Sequence, residues 1–286
     1  MPSLNSEQVR VYHEKGYYFP VQALNEKQTT ECRARFLDYL AHHRSRLAGL
    51  APRDHYIVLS ETHTYLKWVY QIVSHPSVLD VVESILGPNL LVWGSRWFSK
   101  MPGDKAYVSW HQDATYWGLR PPNVTTAWIA LSESVPGNGC MRVVPETHKG
   151  SLLPQRETYS LENVLSRGQE IAVEVDESKA VDLVLRPGEL SLHHVAIIHG
   201  SNVNLSGKPR IGIAVRYITP DVVQEGPEAP LAILVRGRDD YGHFELMEPP
   251  KTNFSTSEGA VPLAVERMMK AVMPAGWKPS NRPPSA

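Results

Sequence analysis

Cysteine is almost missing from this chain: Cys32 and Cys140 are the only two in 286 residues. That excludes a disulfide framework and a thiolate metal cage, fits a reducing compartment, and leaves both as expected buried free thiols. No sign of charge dominates either, since Lys+Arg number 29 and Asp+Glu 30, for a formal net charge of -1. The balance offers no electrostatic footprint for nucleic acid or an anionic membrane surface, so the expected partner is a small molecule. No apolar run is long enough to span a bilayer, and the start Met1-Pro2-Ser3-Leu4-Asn5-Ser6-Glu7 lacks a basic segment followed by an apolar one. A cytoplasmic protein without a membrane segment is expected.

What is present is a hydrophobic content of 42%, enough for a large core. The first part of the chain reads as helical. Ser6 can cap a helix over Glu7 to Lys15, with Gly16 as its stop, and Tyr17 to Val21 then reads as a strand. Asn25 repeats the capping logic for a helix from Glu26 to about Leu47, with Cys32, Phe36, Leu37 and Leu40 on one apolar face and His42-His43 exposed late in it. The pattern fails between Ala48 and Ile57, a loop. Helical spacing returns at Tyr65 to Val73 and Pro76 to Leu86.

From Asn89 the character changes. Strand formers fill Leu90 to Phe98, then Val108 to Asp113, Thr125 to Leu131, Cys140 to Val144, Ile171 to Val175, Val181 to Leu185, Leu190 to His194 and Arg210 to Ile218. Many short strands with no helices between them predict a sandwich or double-sheet barrel rather than a parallel α/β sheet. Past Pro220 come an apolar run at Leu231 to Val235, a predicted helix over Val261 to Met273, and a tail Pro279 to Ala286 expected to be disordered. The expected organisation is a single domain over 1–286: a helical part over about 1–88, a barrel core over about 89–220, and an extension over 221–286.

The chemistry concentrates in Trp110-His111-Gln112-Asp113 and in His199. On an extended strand residues i and i+2 point the same way, which would aim His111 and Asp113 at one point. A distant His199 would complete three ligands. Two histidines and a carboxylate on one face of a metal leave the other face open, as non-haem Fe(II) oxygenases require; zinc accepts the same set, which keeps a Zn-dependent hydrolase open. His194 is the nearest rival to His199. Eleven residues past His199, Arg210 opens Arg210-Ile211-Gly212-Ile213-Ala214-Val215-Arg216-Tyr217. Alternation puts Arg210, Gly212 and Ala214 on one face, so a planar guanidinium suited to a carboxylate lies beside the smallest residues.

With His111-Gln112-Asp113, with His199 followed by Ser201 and Arg210, and with Asn138-Gly139-Cys140-Met141-Arg142-Val143-Val144-Pro145-Glu146-Thr147-His148, the chain resembles the phytanoyl-CoA dioxygenase family of Fe(II)- and 2-oxoglutarate-dependent oxygenases, over roughly Tyr17 to Tyr217. The resemblance implies a mainly β fold with flanking helices, a double-stranded β-helix or jelly-roll barrel. It implies Fe(II) held by His111, Asp113 and His199, 2-oxoglutarate as cosubstrate with Arg210 and Ser201 on its distal carboxylate and Trp128 lining it, and O2 as oxidant. Arg53, Tyr56, Ser60 and His63 are candidates for one further cosubstrate contact. Related halogenases lack the carboxylate ligand; Asp113 makes hydroxylation of a C–H bond, with succinate and CO2 as co-products, the expected reaction. Desaturation and ring closure share its chemistry. Arg96, Trp97, Tyr116 and Trp117 could wall the substrate pocket, against the alternative that the aromatics are core. Small amino compounds such as 2-aminoethylphosphonate and natural-product skeletons are the substrate hypotheses, and a jelly-roll protein that binds without catalysis is the alternative of a different class.

Overall fold

The computed structural model describes residues 3–50, 52–225 and 230–253. The helix expected over Val261 to Met273 and the tail from Pro279 lie outside the described residues. The first helix, Ser6–Lys15, is capped by Asn5, one residue before the expected Ser6: Asn5 accepts from the Gln8 N–H while the Gln8 side chain accepts from the Asn5 N–H. Two orphan donors are thus satisfied reciprocally. Asn25 and Gln28 repeat the device for Glu26–His42. That helix stops short of Leu47 because the chain breaks at His43, whose ring turns inward against Tyr39 at 4.5 Å and is buried rather than exposed. Helices Lys67–Val73 and Pro76–Leu86 fall where spacing put them. Cys140 is buried, whereas Cys32 is only half-buried. No helix among the described residues is long and apolar enough to cross a membrane.

Two main sheets and two small two-stranded ones form the rest. The larger runs, in spatial order, Tyr17–Gln22, Glu189–His194, Val124–Ala130, Arg210–Ile218, Leu90–Lys100, Leu231–Arg236 and Glu245–Leu246. The smaller runs Val108–His111, Ile198–Ser201, Arg142–Val144 and Val181–Asp182. Neighbours remote in sequence and almost wholly antiparallel make this the jelly-roll architecture, with the sheets separate among the described residues rather than closed into one barrel. Four expected strands are shorter or shifted: pairing covers Arg142–Val144, Gln169–Ile171, Val181–Asp182 and, at the first histidine, only Val108–His111.

Alternation divides the larger sheet between two tasks. Ile211, Ile213, Val215 and Tyr217 are fully buried against helix residues such as Val69, Val73, Val78 and Val82, each worth roughly 1.5–3 kcal/mol of burial. The Tyr217 hydroxyl also donates to the Val73 carbonyl at 2.7 Å, tying sheet to helix. The other face meets the smaller sheet, as the packing of Trp128, Ala130 and Ala214 with Val143 shows. Register sorts this inner face into rows: Lys100 with Arg210; Phe98 with Gly212 and Ala130; Arg96 with Ala214, Trp128 and Ser191; Gly94 with Arg216, Thr126 and His193.

Trp97 has the opposite parity and packs in the core, the alternative weighed for these aromatics. Its ring is 1% exposed, stacks on Phe36 at 4.3 Å, and donates to Thr62 Oγ1 at 2.8 Å. Trp97→Ala is therefore expected to cost about 3–5 kcal/mol in urea unfolding. A loss under about 1 kcal/mol, the usual range for a wet surface position, would return the ring to a pocket wall.

Candidate active site

Two adjacent strands of the smaller sheet deliver the histidines. His111 lies directly opposite His199 in the antiparallel pair, with ring centroids 4.1 Å apart. Asp113 arrives by a different route from the one alternation predicts. The strand ends at His111, and Asp113 has helical backbone (φ -58°, ψ -38°) at the start of the turn Ala114–Trp117. The turn brings its carboxylate back toward both rings, Oδ1 lying 3.3 Å from His111 Nε2 and Oδ2 3.8 Å from His199 Nε2. One donor atom from each residue lies within 4.8 Å of the other two.

Backbone aims both rings. His111 Nδ1 donates to the Ser109 carbonyl at 2.9 Å and His199 Nδ1 to the Ile197 carbonyl at 3.1 Å. A proton fixed on Nδ1 leaves the Nε2 lone pair facing Asp113, the tautomer a metal needs. Burial, then the neighbouring His111, holds His199 down to about 4. For Asp113 burial works to raise the pKa, but the His111 hydrogen bond and the His199 charge outweigh it and hold the carboxyl well below the usual carboxylate range. This donor set fits a divalent metal with an open face. Buried Gln112 points away and clamps the frame, donating to the Ala196 carbonyl at 2.7 Å and accepting from the Leu153 N–H at 2.8 Å.

The segment Asn138 to His148 supports His199 from its other edge. Val143 pairs with His199, and Thr147 Oγ1 accepts from the Ile198 N–H at 2.9 Å. Gly139, at φ 75°, passes so close to the chain after His199 that a Cβ would lie 2.2 Å from the Asn202 carbonyl oxygen.

On the larger sheet Arg210 is 2% exposed, and its Nε and Nη1 are buried without a hydrogen-bond partner. Its guanidinium lies 4.5 Å over the Trp128 ring, and a Cβ at Gly212 would lie 2.2 Å from that ring, so glycine is what admits it. Beside Arg210 stands Lys100, which sequence reasoning missed because the strand was read as ending at Phe98. Continuing the alternation from Arg96 and Phe98 finds it. Its ammonium donates to Ser201 Oγ at 2.6 Å, to the Ser201 carbonyl at 3.2 Å, and to the Asn202 carbonyl. Burial, then Arg210, pushes Lys100 down to about 6, and burial lowers Arg210 to about 10. Buried Arg210, with no carboxylate partner among the described residues, and beside it Ser201 held by Lys100, fit the distal carboxylate of a dicarboxylic acid. A cavity of about 480 Å³, walled by Leu37, Leu40 and Leu47, reaches them from the helical side.

The remaining candidates scatter. Arg96 is on the inner face, donates to the Val164 carbonyl at 2.6 Å and lies over Phe98. Trp117 packs on Trp93 at 5.1 Å, and Tyr116 lies half-buried beneath Arg167. Ser60 bridges to Arg96, and His63 Nδ1 bonds Ser95 Oγ at 2.8 Å; the side chains of Arg53 and Tyr56 lie outside the described residues. His193, not His194, adjoins the cluster, 4.8 Å from the His199 ring, while His194 stacks with His148.

Fold and site together define a mononuclear, non-haem metal oxygenase of the double-stranded β-helix class. The family model described as phytanoyl-CoA dioxygenase matches residues 12–212. A probable phytanoyl-CoA dioxygenase of Caenorhabditis elegans is 27% identical over 240 residues, 77% of each chain. The peroxisomal phytanoyl-CoA dioxygenase of Homo sapiens is 30% identical over 176 residues, 60% of this chain and 52% of its own length. The solved structure of the non-heme monooxygenase ThoJ, in its apo form, superposes with a TM-score of 0.79 at 34% identity, covering 93% of this chain and 97% of that one. The chain belongs to the phytanoyl-CoA dioxygenase family and is an Fe(II)- and 2-oxoglutarate-dependent oxygenase.

Lys100 gives a pH signature. Its folded pKa of about 6 lies below the ordinary 10.5, so between those values the unfolded chain holds the extra proton. The cost is full below about 6 and vanishes above 10.5, so ligand-free stability should rise with pH across that window. Urea unfolding of wild type and Lys100→Met should diverge accordingly; parallel curves would mean that the ammonium is as stable inside as out.

Proposed function

We propose that His111, Asp113 and His199 hold Fe(II), that Arg210 and Ser201, the latter held in place by Lys100, receive the distal carboxylate of 2-oxoglutarate over Trp128, and that the enzyme hydroxylates an unactivated C–H bond of a small molecule. The observation that carries this is buried Arg210, without a carboxylate partner among the described residues, paired with Lys100 on the sheet that faces the triad. A zinc hydrolase or a non-catalytic binder has no use for that pair beside an intact metal triad.

When bound, iron with 2-oxoglutarate and O2 supplies the oxidising power: one oxygen atom goes to succinate, formed with CO2, and the other to the substrate carbon. The chain's own work is placement. The Ser109 and Ile197 carbonyls hold the Nδ1 protons, so both Nε2 atoms present lone pairs without reorganisation. Asp113 stays ionised, neutralises one positive charge of the metal, and fills the position that a halide would otherwise take. Arg210 keeps its planar donors free, because Trp128 meets its face rather than its edge. Lys100 spends all three of its donors on the chain around Ser201, fixing that hydroxyl relative to Arg210. The leucine wall of the cavity limits water around these charges.

An anaerobic titration with Fe(II) and then 2-oxoglutarate tests the reading through the visible charge-transfer absorption of the chelate, without knowledge of the substrate. His111→Ala, Asp113→Ala and His199→Ala should abolish the band or the bound metal. Arg210→Ala should keep the metal and weaken 2-oxoglutarate roughly 30–100-fold. Bound metal with no band in the wild type would leave the zinc or binding-protein reading.

A further inference from the structure

The inner face of the larger sheet carries a third arginine, besides Arg210 and Arg96, that nothing so far employs. Arg216 follows Arg210, Gly212 and Ala214 in the same parity, three rows along, with Gly94 and Thr126 as its cross-strand partners and His193 beyond Thr126. Side chains directly opposite in an antiparallel pair share one face. Its guanidinium lies 5.1 Å over the Trp117 ring, and Trp117 packs in turn on Trp93. Among the described residues Arg216 has no hydrogen-bond or ion-pair partner, and its Nε is buried. Beside it Thr126, 2% exposed, has a buried hydroxyl oxygen that is also unpartnered. The charge of Arg216 is felt by Asp113, His199 and His193, so this end of the cleft adjoins the metal cluster.

The surroundings are built rather than left open. Register slips at this point, Arg216 facing Gly94 but Tyr217 facing Val92, which leaves Trp93 as the extra residue of a bulge. Bulges recur beside active sites because they re-aim side chains. Gly94 has no side chain, and the space is taken by Glu61: a Cβ there would lie 3.2 Å from Oε1. Glu61 is held with left-handed backbone at φ 55°, its Oε2 accepting from the Ser95 N–H at 2.9 Å. A strained residue that seats a carboxylate next to an arginine, without closing on it, leaves a polar gap between opposite charges.

We propose that Arg216, with the Thr126 hydroxyl, is the anchor for an oxyanion on the primary substrate, a carboxylate or a phosphonate, and that the oxidised carbon lies a few bonds from that anion. A guanidinium pinned face-on by Trp117 offers its edge to two oxygens at once, and Thr126 supplies a third donor. Burial pushes the neighbouring Glu61 carboxyl up to about 7 against the pull of Arg216, so it does not hold the guanidinium as a fixed counter-charge. The leucine-walled cavity opens at the Arg210 end and is distinct from this seat. The inference rests on the oxygenase reading above, and the two fail separately.

The test uses the anaerobic Fe(II)- and 2-oxoglutarate-loaded protein, titrated with butanoate, butylphosphonate, butanol and butylamine while the charge-transfer band is watched. Calorimetry on the metal-free protein with the same four compounds gives a readout independent of loading. Butanoate or butylphosphonate should bind and perturb the band, and the two arms decide between carboxylate and phosphonate; butanol and butylamine should not. In Arg216→Gln the band should still form, while oxyanion affinity falls about tenfold or more, and Arg216→Lys should recover part of it. No band in the wild type defeats the oxygenase reading. A normal band with no response to either oxyanion, with equal binding by wild type and Arg216→Gln, or with loss of the band itself in Arg216→Gln, overturns the anchor.

Discussion

The pairing of His111 with His199 across two antiparallel strands is the contact from which the rest of the molecule can be read. Once those residues are opposite, register decides what flanks them: Val143 on one edge, Ser201 two residues along, and Asn202 against the Gly139 turn. Gln112, between His111 and Asp113, reaches the Ala196 carbonyl and so locks both ligand-bearing segments in the same relative position. The metal set is thus a by-product of strand pairing, a cooperative and long-range interaction, and not of any local propensity. Forming it requires the larger sheet as a floor, and the larger sheet in turn requires the helices packed on its far face.

That floor works because one strand does two jobs. The odd positions of Arg210–Ile218 are wholly buried with Val69, Val73 and Val82, and the even positions carry two arginines separated by glycine and alanine. A buried guanidinium is costly in a core without a counter-charge; Arg210 is buried at one end of this face and Arg216 half-buried at the other. Stability supplied on one face supports polar groups on the other that would not be stable by themselves. The same division explains why Arg96 belongs to the cleft and its neighbour Trp97 to the core.

Much of this was legible in the residues. Period-2 patterning and the absence of intervening helices gave the double-sheet architecture, and the spacing from His199 to Ser201 and Arg210 singled out the residues that converge. What stayed hidden has physical causes. Asp113 reaches its partners through a helical turn that no alternation rule anticipates. Lys100 lay two residues past where strand propensity faded, yet cross-strand pairing with Arg210 keeps it extended. Glu61 stands before a single 3-10 turn, too short for a period to follow, and crowds the place a side chain at Gly94 would take. His43 breaks its helix because burial against Tyr39 outweighs continuation.

Each metal-facing imidazole is oriented by the carbonyl two positions earlier in its own strand, Ser109 for His111 and Ile197 for His199. Backbone oxygens do not change when side chains are replaced. The aim of both rings is therefore insulated from sequence drift in the cleft, and descendants of such a chain can exchange the residues around a new substrate without solving the orientation of the histidines again.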